Sequence, residues 1–138
     1  MKRLRLPALC ALLLLAAGCA SVQVSKEFHG VHVDGGREPV ATVQVANTGW
    51  YLLTFIPIAS GNPEKPNQVS CNWFENTVRL ENNMRILGAK MKEMGVTEVA
   101  NLTSHRTDEK YLVFILARRA YRTSAILLKS QEEEDKIK

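Results

Sequence analysis

Polar and apolar positions divide this chain into stretches of different period, and the period sets the element to be expected. From residue 20, Val22 and Val24 alternate with Ser21, Gln23 and Ser25, which reads as a short tether or a first strand. Val31 and Val33 lead into Asp34-Gly35-Gly36, and behind Pro39 the segment Val40 to Ala46 alternates again, so a hairpin is expected. Asn47-Thr48-Gly49 has the composition of a second turn. Trp50 to Ala59 is the most apolar segment beyond the N-terminus and carries no charge. Such a continuous run predicts a central strand buried on both faces, with Pro57 near its end. The alternative is a surface that packs on lipid or on a partner subunit.

Ser60 to Gln68, with Gly61, Pro63 and Pro66, reads as a loop, after which the period changes. Leu80, Met84, Leu87, Met91 and Met94 recur every three or four residues and predict one apolar stripe of an amphipathic helix. Asn72 and Glu75 are placed as a capping box at its start, and Gly95 as its stop. Gly88, inside the helix, implies close approach to a sheet. Beyond Gly95 the pattern predicts strands over Val96 to Thr103, Tyr111 to Ala117 and Tyr121 to Lys129. Ser104 to Lys110 is then a polar loop, with a joint near Arg118-Arg119-Ala120. The expected class is α+β: an N-terminal β-meander, one long amphipathic helix packed on a mixed sheet, and C-terminal strands. A right-handed crossover is expected if the strands flanking the helix are parallel.

The N-terminus has a different pattern. Lys2, Arg3 and Arg5 precede an apolar stretch from Ala8 to Ala17, too short for the roughly twenty residues of a membrane-spanning helix. It closes on Leu15-Ala16-Ala17-Gly18-Cys19. This segment resembles the signal of bacterial lipoproteins, whose cysteine thiol receives a diacylglyceryl group before a peptidase cuts on its amino side. Ala17 and Gly18 fit that pattern, while Ala16 stands where such signals most often carry leucine. The resemblance implies lipid attachment at Cys19. It also implies outer-membrane delivery facing the periplasm, because Ala20 replaces the aspartate that tends to retain such proteins in the inner membrane.

The expected organisation is a cleaved signal over 1–18, a lipidated N-terminus and tether over 19–30, one domain over 31–129 and a charged tail over 130–138. Ile86-Leu87-Gly88, Gly95-Val96 and the closing strands resemble small envelope lipoproteins of the TRL-like kind over roughly half the chain. That resemblance implies an envelope lipoprotein and brings no diagnostic motif with it.

Charge and cysteine usage narrow the picture. With Lys2, Arg3 and Arg5 set aside, 15 of the 18 basic residues face 14 acidic ones, so the net charge of +4 lies largely in the signal and no nucleic-acid footprint is expected. Cys10 leaves with the signal and Cys19 is acylated, so Cys71 stands alone and reads as a structural thiol. His29 and His32, three apart on a strand, point to opposite faces, and no metal site or cofactor is expected. Arg118, Arg119 and Arg122 form the basic cluster, a candidate contact for an anionic ligand or lipid headgroup. No nucleophile elbow, phosphate loop or zinc-ligand spacing occurs.

The expected function is therefore non-enzymatic: a membrane-anchored accessory or structural component acting by protein contact. The alternatives are a binding module for an anionic envelope ligand and a self-assembling lipoprotein using Trp50 to Ile58.

Overall fold

The structure, a computed structural model, describes residues 19–28, 38–111 and 115–129. The expected signal, the Asp34-Gly35-Gly36 turn, His29, His32 and the charged tail lie outside them. Six strands and one helix follow in order: β1 (Ala20–Ser25), β2 (Pro39–Leu52), β3 (Ile56–Gly61), β4 (Cys71–Trp73), α1 (Leu80–Glu93), β5 (Glu98–Tyr111) and β6 (Leu116–Leu128). They form one sheet in the order β4-β3-β2-β6-β5, with β1 paired to β2 beside β3. Every pairing is antiparallel. The expected α+β fold with a long helix on a mixed sheet is thus corrected: this is a small β-rich domain, with 57% of the described residues in strands and one short helix amounting to 14% of them. The right-handed parallel crossover has no counterpart among the described strands.

β2 organises the sheet. Ala41, Val43, Val45, Asn47, Gly49 and Tyr51 alternate as its buried face, the period of two that a strand requires. The strand runs straight through Asn47-Thr48-Gly49, where a turn was expected. Both turn-type residues serve packing instead. A Cβ on Gly49 would stand 2.8 Å from Val78 Cγ2, so only glycine admits that contact. Asn47, fully buried, donates from Nδ2 to Thr77 O at 2.7 Å.

The apolar run that follows is no central strand. It folds into a tight hairpin between β2 and β3, with Leu53 at φ 50° and Thr54 at φ 69°, and Phe55 N–H donates to Leu52 O at 3.3 Å. Positive φ at both central residues is the mark of a two-residue hairpin turn usually filled by Asn-Gly. Its strongly apolar composition hides the turn from a pattern reading.

The segment before α1 is pinned by side chains. Thr77 Oγ1 donates to Gly61 O at 2.6 Å, Ser60 Oγ donates to Glu75 O at 2.6 Å, and Asn82 Nδ2 donates to Thr77 O at 2.7 Å. Asn72 does bond Glu75 (Nδ2 to Oε2, 2.7 Å), yet this pair closes a turn and caps no helix. The helix starts eight residues later, after an extended Arg79 with no side-chain cap bond.

The buried positions of α1 are Asn83, Ile86 and Leu87, with Met91 and Met94 partly buried, whereas Leu80 and Met84 are exposed. The buried stripe is rotated from the expected one because an asparagine occupies its first position. Ile86 and Leu87 join Ala41, Val43, Val45, Ala125 and Leu127 in the core. Gly95, at φ 68°, ends the helix as expected: Val96 N–H reaches Met91 O at 3.0 Å and Gly95 N–H reaches Lys92 O at 3.2 Å.

The C-terminal half is one long hairpin. β5 occupies the expected loop Ser104 to Lys110, and β6 runs through the expected joint at Arg118-Arg119-Ala120. β5 is the outermost strand, exposed along most of its length, so nothing obliges its residues to alternate. A bulge between Ala100 and Thr103, with Asn101 at φ 50°, bends it. On the other side, Asn67 extends β1: its Oδ1 accepts from Val22 N–H at 2.9 Å and its Nδ2 donates to Val22 O at 2.8 Å.

Two glycines should respond to alanine in opposite directions. Nothing lies within 4 Å of a Cβ built on Gly88, so the expected close approach is absent and Gly88→Ala should stabilise by about 0.5–1 kcal/mol. A Cβ on Gly61 would fall 2.5 Å from the Cys19 carbonyl carbon, and Gly61→Ala should destabilise by about 1–3 kcal/mol. Urea unfolding midpoints of the two variants check both signs.

Candidate functional site

Cys19 stands one residue before β1, half-buried, with its carbonyl accepting from Thr48 N–H at 3.2 Å. Ala20, next in the chain, is buried and pairs with Asn47. Of the two expectations for this segment, the strand is what forms. A group carried on the Cys19 thiol would therefore be joined to the sheet with almost no intervening chain.

The three arginines do not share a face. Successive strand residues point to opposite sides, so Arg119 lies on the side that carries α1, while Arg118 and Arg122 lie on the other. On the helix side, the Arg119 guanidinium sits 4.5 Å above the Tyr51 ring. Its Nε donates to Asp108 Oδ1 at 2.8 Å and its Nη2 to Thr54 O at 3.3 Å. Arg106 completes the cluster, donating from Nε to Asp108 Oδ2 at 2.7 Å. These groups surround a cavity of about 190 Å³ with Lys110 and Ala117.

Tyr51 is fully buried, and its hydroxyl donates to Asn76 Oδ1 at 2.7 Å. Burial pushes its pKa upward, and the Arg119 charge only partly offsets that. For Asp108, burial favours the neutral acid, but hydrogen bonds from Arg119 and Arg106 and their charges outweigh it and hold the carboxyl below its ordinary value.

On the opposite side, Arg118 Nη1 lies 3.5 Å from Glu109 Oε2, which also accepts from the Tyr111 hydroxyl at 2.7 Å. The Tyr111 hydrogen bond, with the Arg118 charge behind it, lowers the Glu109 pKa. Trp50 and Tyr111 meet at 5.6 Å between ring centroids. Among the described residues, neither Trp50 Nε1 nor Arg118 Nε has a hydrogen-bond partner, though both atoms are shielded from water. Arg118 and Arg122 flank a shallow hollow of about 100 Å³ with Thr107, Glu109 and Ala120. The three arginines expected to act together are thus split: Arg119 belongs to an ion cluster on the helix side, while Arg118, which meets Glu109, lies with Arg122 on the other.

An open groove of about 570 Å³ lies between α1 and the loop after β3. Arg85, Ile86, Ala89 and Lys90 form one wall, and Pro63, Pro66 and Asn67 the other. Sequence reasoning missed it because no residue type announces a groove between a loop and a helix. Lys90 there is held by Glu93 at 2.7 Å. His105 is exposed on β5 opposite Arg122. Cys71 is half-buried on β4, paired with Gly61, and so lies on a strand where a helix start was expected. Among the described residues no group of three histidine, cysteine or acidic side chains could hold a metal ion, and no helix is long and apolar enough to cross a membrane.

No family model, curated protein or solved structure matches this chain.

The Asp108 cluster has a definite pH signature. A carboxyl with a folded-state pKa below its unfolded value of about 3.9 contributes stability above that pH and loses it as the pH falls through the folded pKa. Asp108→Asn should therefore lower the thermal midpoint at neutral pH, and the gap from wild type should close below about pH 4. With the Asp108 side chain 37% exposed, solvent screening keeps the difference under about 1 kcal/mol. A gap that stays constant into strong acid would contradict the assignment.

Proposed function

We propose that this protein is a lipid-anchored component of a bacterial cell envelope that acts by contact with other envelope components and not by catalysis. The observation that carries the reading is Leu15-Ala16-Ala17-Gly18-Cys19 behind a basic, apolar N-terminus. The position of Cys19 directly before β1 supports it. An acylated cysteine there holds the sheet against the bilayer with no tether to absorb motion, and two or three acyl chains make such attachment stable. Ala20 in place of aspartate favours the outer membrane, with the domain facing the periplasm.

A contact role agrees with what the described residues offer. Asp108 bridges Arg106 and Arg119, and Glu109 meets Arg118, so these charged side chains are engaged with one another in ion pairs. Among the described residues, no nucleophile held by a general base stands beside the cavities named above. Arg118 and Arg122 are retained as the contact for an anionic group, now as a pair.

Growth with an alkyne analogue of palmitate should label the wild-type protein, and Cys19→Ala should remove the label entirely. Equal labelling of both proteins, or of neither, would contradict the anchor.

A further inference from the structure

One end of the sheet is apolar where the chain turns. Leu53 and Phe55 from the β2–β3 turn, Ile56, Phe74 after β4 and Ile115 before β6 are all exposed, Phe55 by 69% and Phe74 by 76%. The strand registers bring the tip together, Leu52 pairing with both Ile56 and Leu116 and Leu53 N–H donating to Ile115 O at 2.8 Å, while Phe74, whose N–H donates to Ile58 O at 3.1 Å, stands two residues behind Ile56. From Trp50 to Gly61 the chain carries no charge.

Behind this apolar end lies an aromatic layer. Trp73, Ala59, Trp50 and Arg118 are successive partners across four strands, and Tyr111 reaches the Trp50 ring. Next to that layer the β5–β6 hairpin is basic, with Arg106, Lys110, Arg118, Arg119 and Arg122 against Asp108 and Glu109.

We propose that this end of the sheet inserts into the interfacial region of a phospholipid bilayer, as a membrane contact separate from Cys19. Three features select lipid over a protein occupant. First, the apolar tip gives way directly to a mixed aromatic and cationic girdle, with Lys110 level with Tyr51, Trp50 beside Arg118, and Arg119, Arg106 and Arg122 further back, the residue types that hold a protein at the interface and at anionic headgroups. Second, backbone amides entering lipid must be satisfied within the protein. Here Leu53, Phe55 and Phe74 N–H donate to Ile115, Leu52 and Ile58 carbonyls, and Thr54 O accepts from Arg119. Third, the β2–β3 turn and the residues flanking β4 and β6 make one end of the sheet and not a broad face, whereas a protein interface needs a complementary patch of about 800 Å² on each partner.

The backbone agrees. Leu53, Thr54 and Phe74 all hold positive φ, a conformation unfavourable for such side chains, and all three present residues at this end. The proposal uses the envelope reading only as the source of a nearby bilayer. Cys19 is level with Thr48, four residues from Leu52, or about 14 Å along the strand at 3.4 Å per residue. A tip buried by about 5–10 Å brings Cys19 near headgroup level, so both contacts can be made together.

Trp50 and Trp73 are the only tryptophans in the chain, so its tryptophan emission reports this end alone. The full-length protein is reconstituted into vesicles of phosphatidylethanolamine and phosphatidylglycerol, with or without phospholipids brominated in their acyl chains. Brominated lipid should quench the emission. The double variant Phe55→Ser with Phe74→Asn removes two phenyl groups and should weaken insertion by roughly a hundredfold, abolishing the quenching. Both side chains are exposed and asparagine tolerates positive φ, so an unchanged circular dichroism spectrum should confirm that the variant folds.

Unquenched emission from vesicle-bound wild-type protein would overturn the proposal, as would equal quenching of a folded variant. So would emission that ignores bromine but shifts with protein concentration, which marks a second copy as the occupant. Wild-type protein that takes up no palmitate label, with quenching retained, would reject the anchor and leave the inserting end standing.

Discussion

Asn83 projects from α1 onto the middle of the sheet without exposure to water, where its amide donates to Tyr121 O at 3.0 Å and to Thr123 Oγ1 at 3.2 Å. Asn47, Ser60 and Thr77 continue this buried polar layer beneath the segment that leads into the helix. The apolar contacts around it involve many small side chains, with Ala20, Ala41 and Ala125 among the core residues. Small residues let the layers approach closely but specify position weakly. Buried hydrogen bonds specify it strongly, since an unmade one costs about 1–3 kcal/mol. The helix thus has one place to sit, and that place shields Val43, Val45 and Leu127.

The same constraint explains which parts of the fold were legible in the sequence. Alternation over Val40 to Ala46 marks β2, because every second residue there is covered. Gly95 marks the helix end, because the left-handed position it occupies follows from local sterics. Asn47 and Gly49 read as a turn and Asn83 falls outside the apolar stripe, yet each is a polar or small residue used for long-range packing. Partners 29 or more residues away decide them, and no local window contains those partners.

The candidate site divides along similar lines. The role proposed for Cys19 rests on local sequence order alone, because a signal of that kind is read in extended form, before any fold exists. The arginines were legible as a cluster but not as a geometry. Their sorting to opposite faces depends on β6 running unbroken through Arg118-Arg119-Ala120, a run that lacks the apolar alternation of a half-buried strand. The ion pairs with Asp108 and Glu109 come from the neighbouring strand, in a stretch whose composition resembles a loop. The apolar end was visible as composition and invisible as shape. A continuous hydrophobic run is equally compatible with a buried strand and with a hairpin whose tip is displayed, and only the positive φ of Leu53 and Thr54 separates the two.

The bulge at Asn101 has a consequence for solubility. β5 is a long margin of the sheet, and among the described residues nothing pairs with its outer side. Unpaired backbone of that length is a template for recruiting strands from other molecules. The bulge breaks its regularity at one end, and Arg106, Asp108, Glu109 and Lys110 crowd charge along the other. β4, at the opposite margin, has three residues, and Asn67 occupies the outer hydrogen-bonding groups of Val22 on β1. The chain can thus display bare hydrophobic turns without offering beside them the free backbone ladder on which fibrillar aggregates grow.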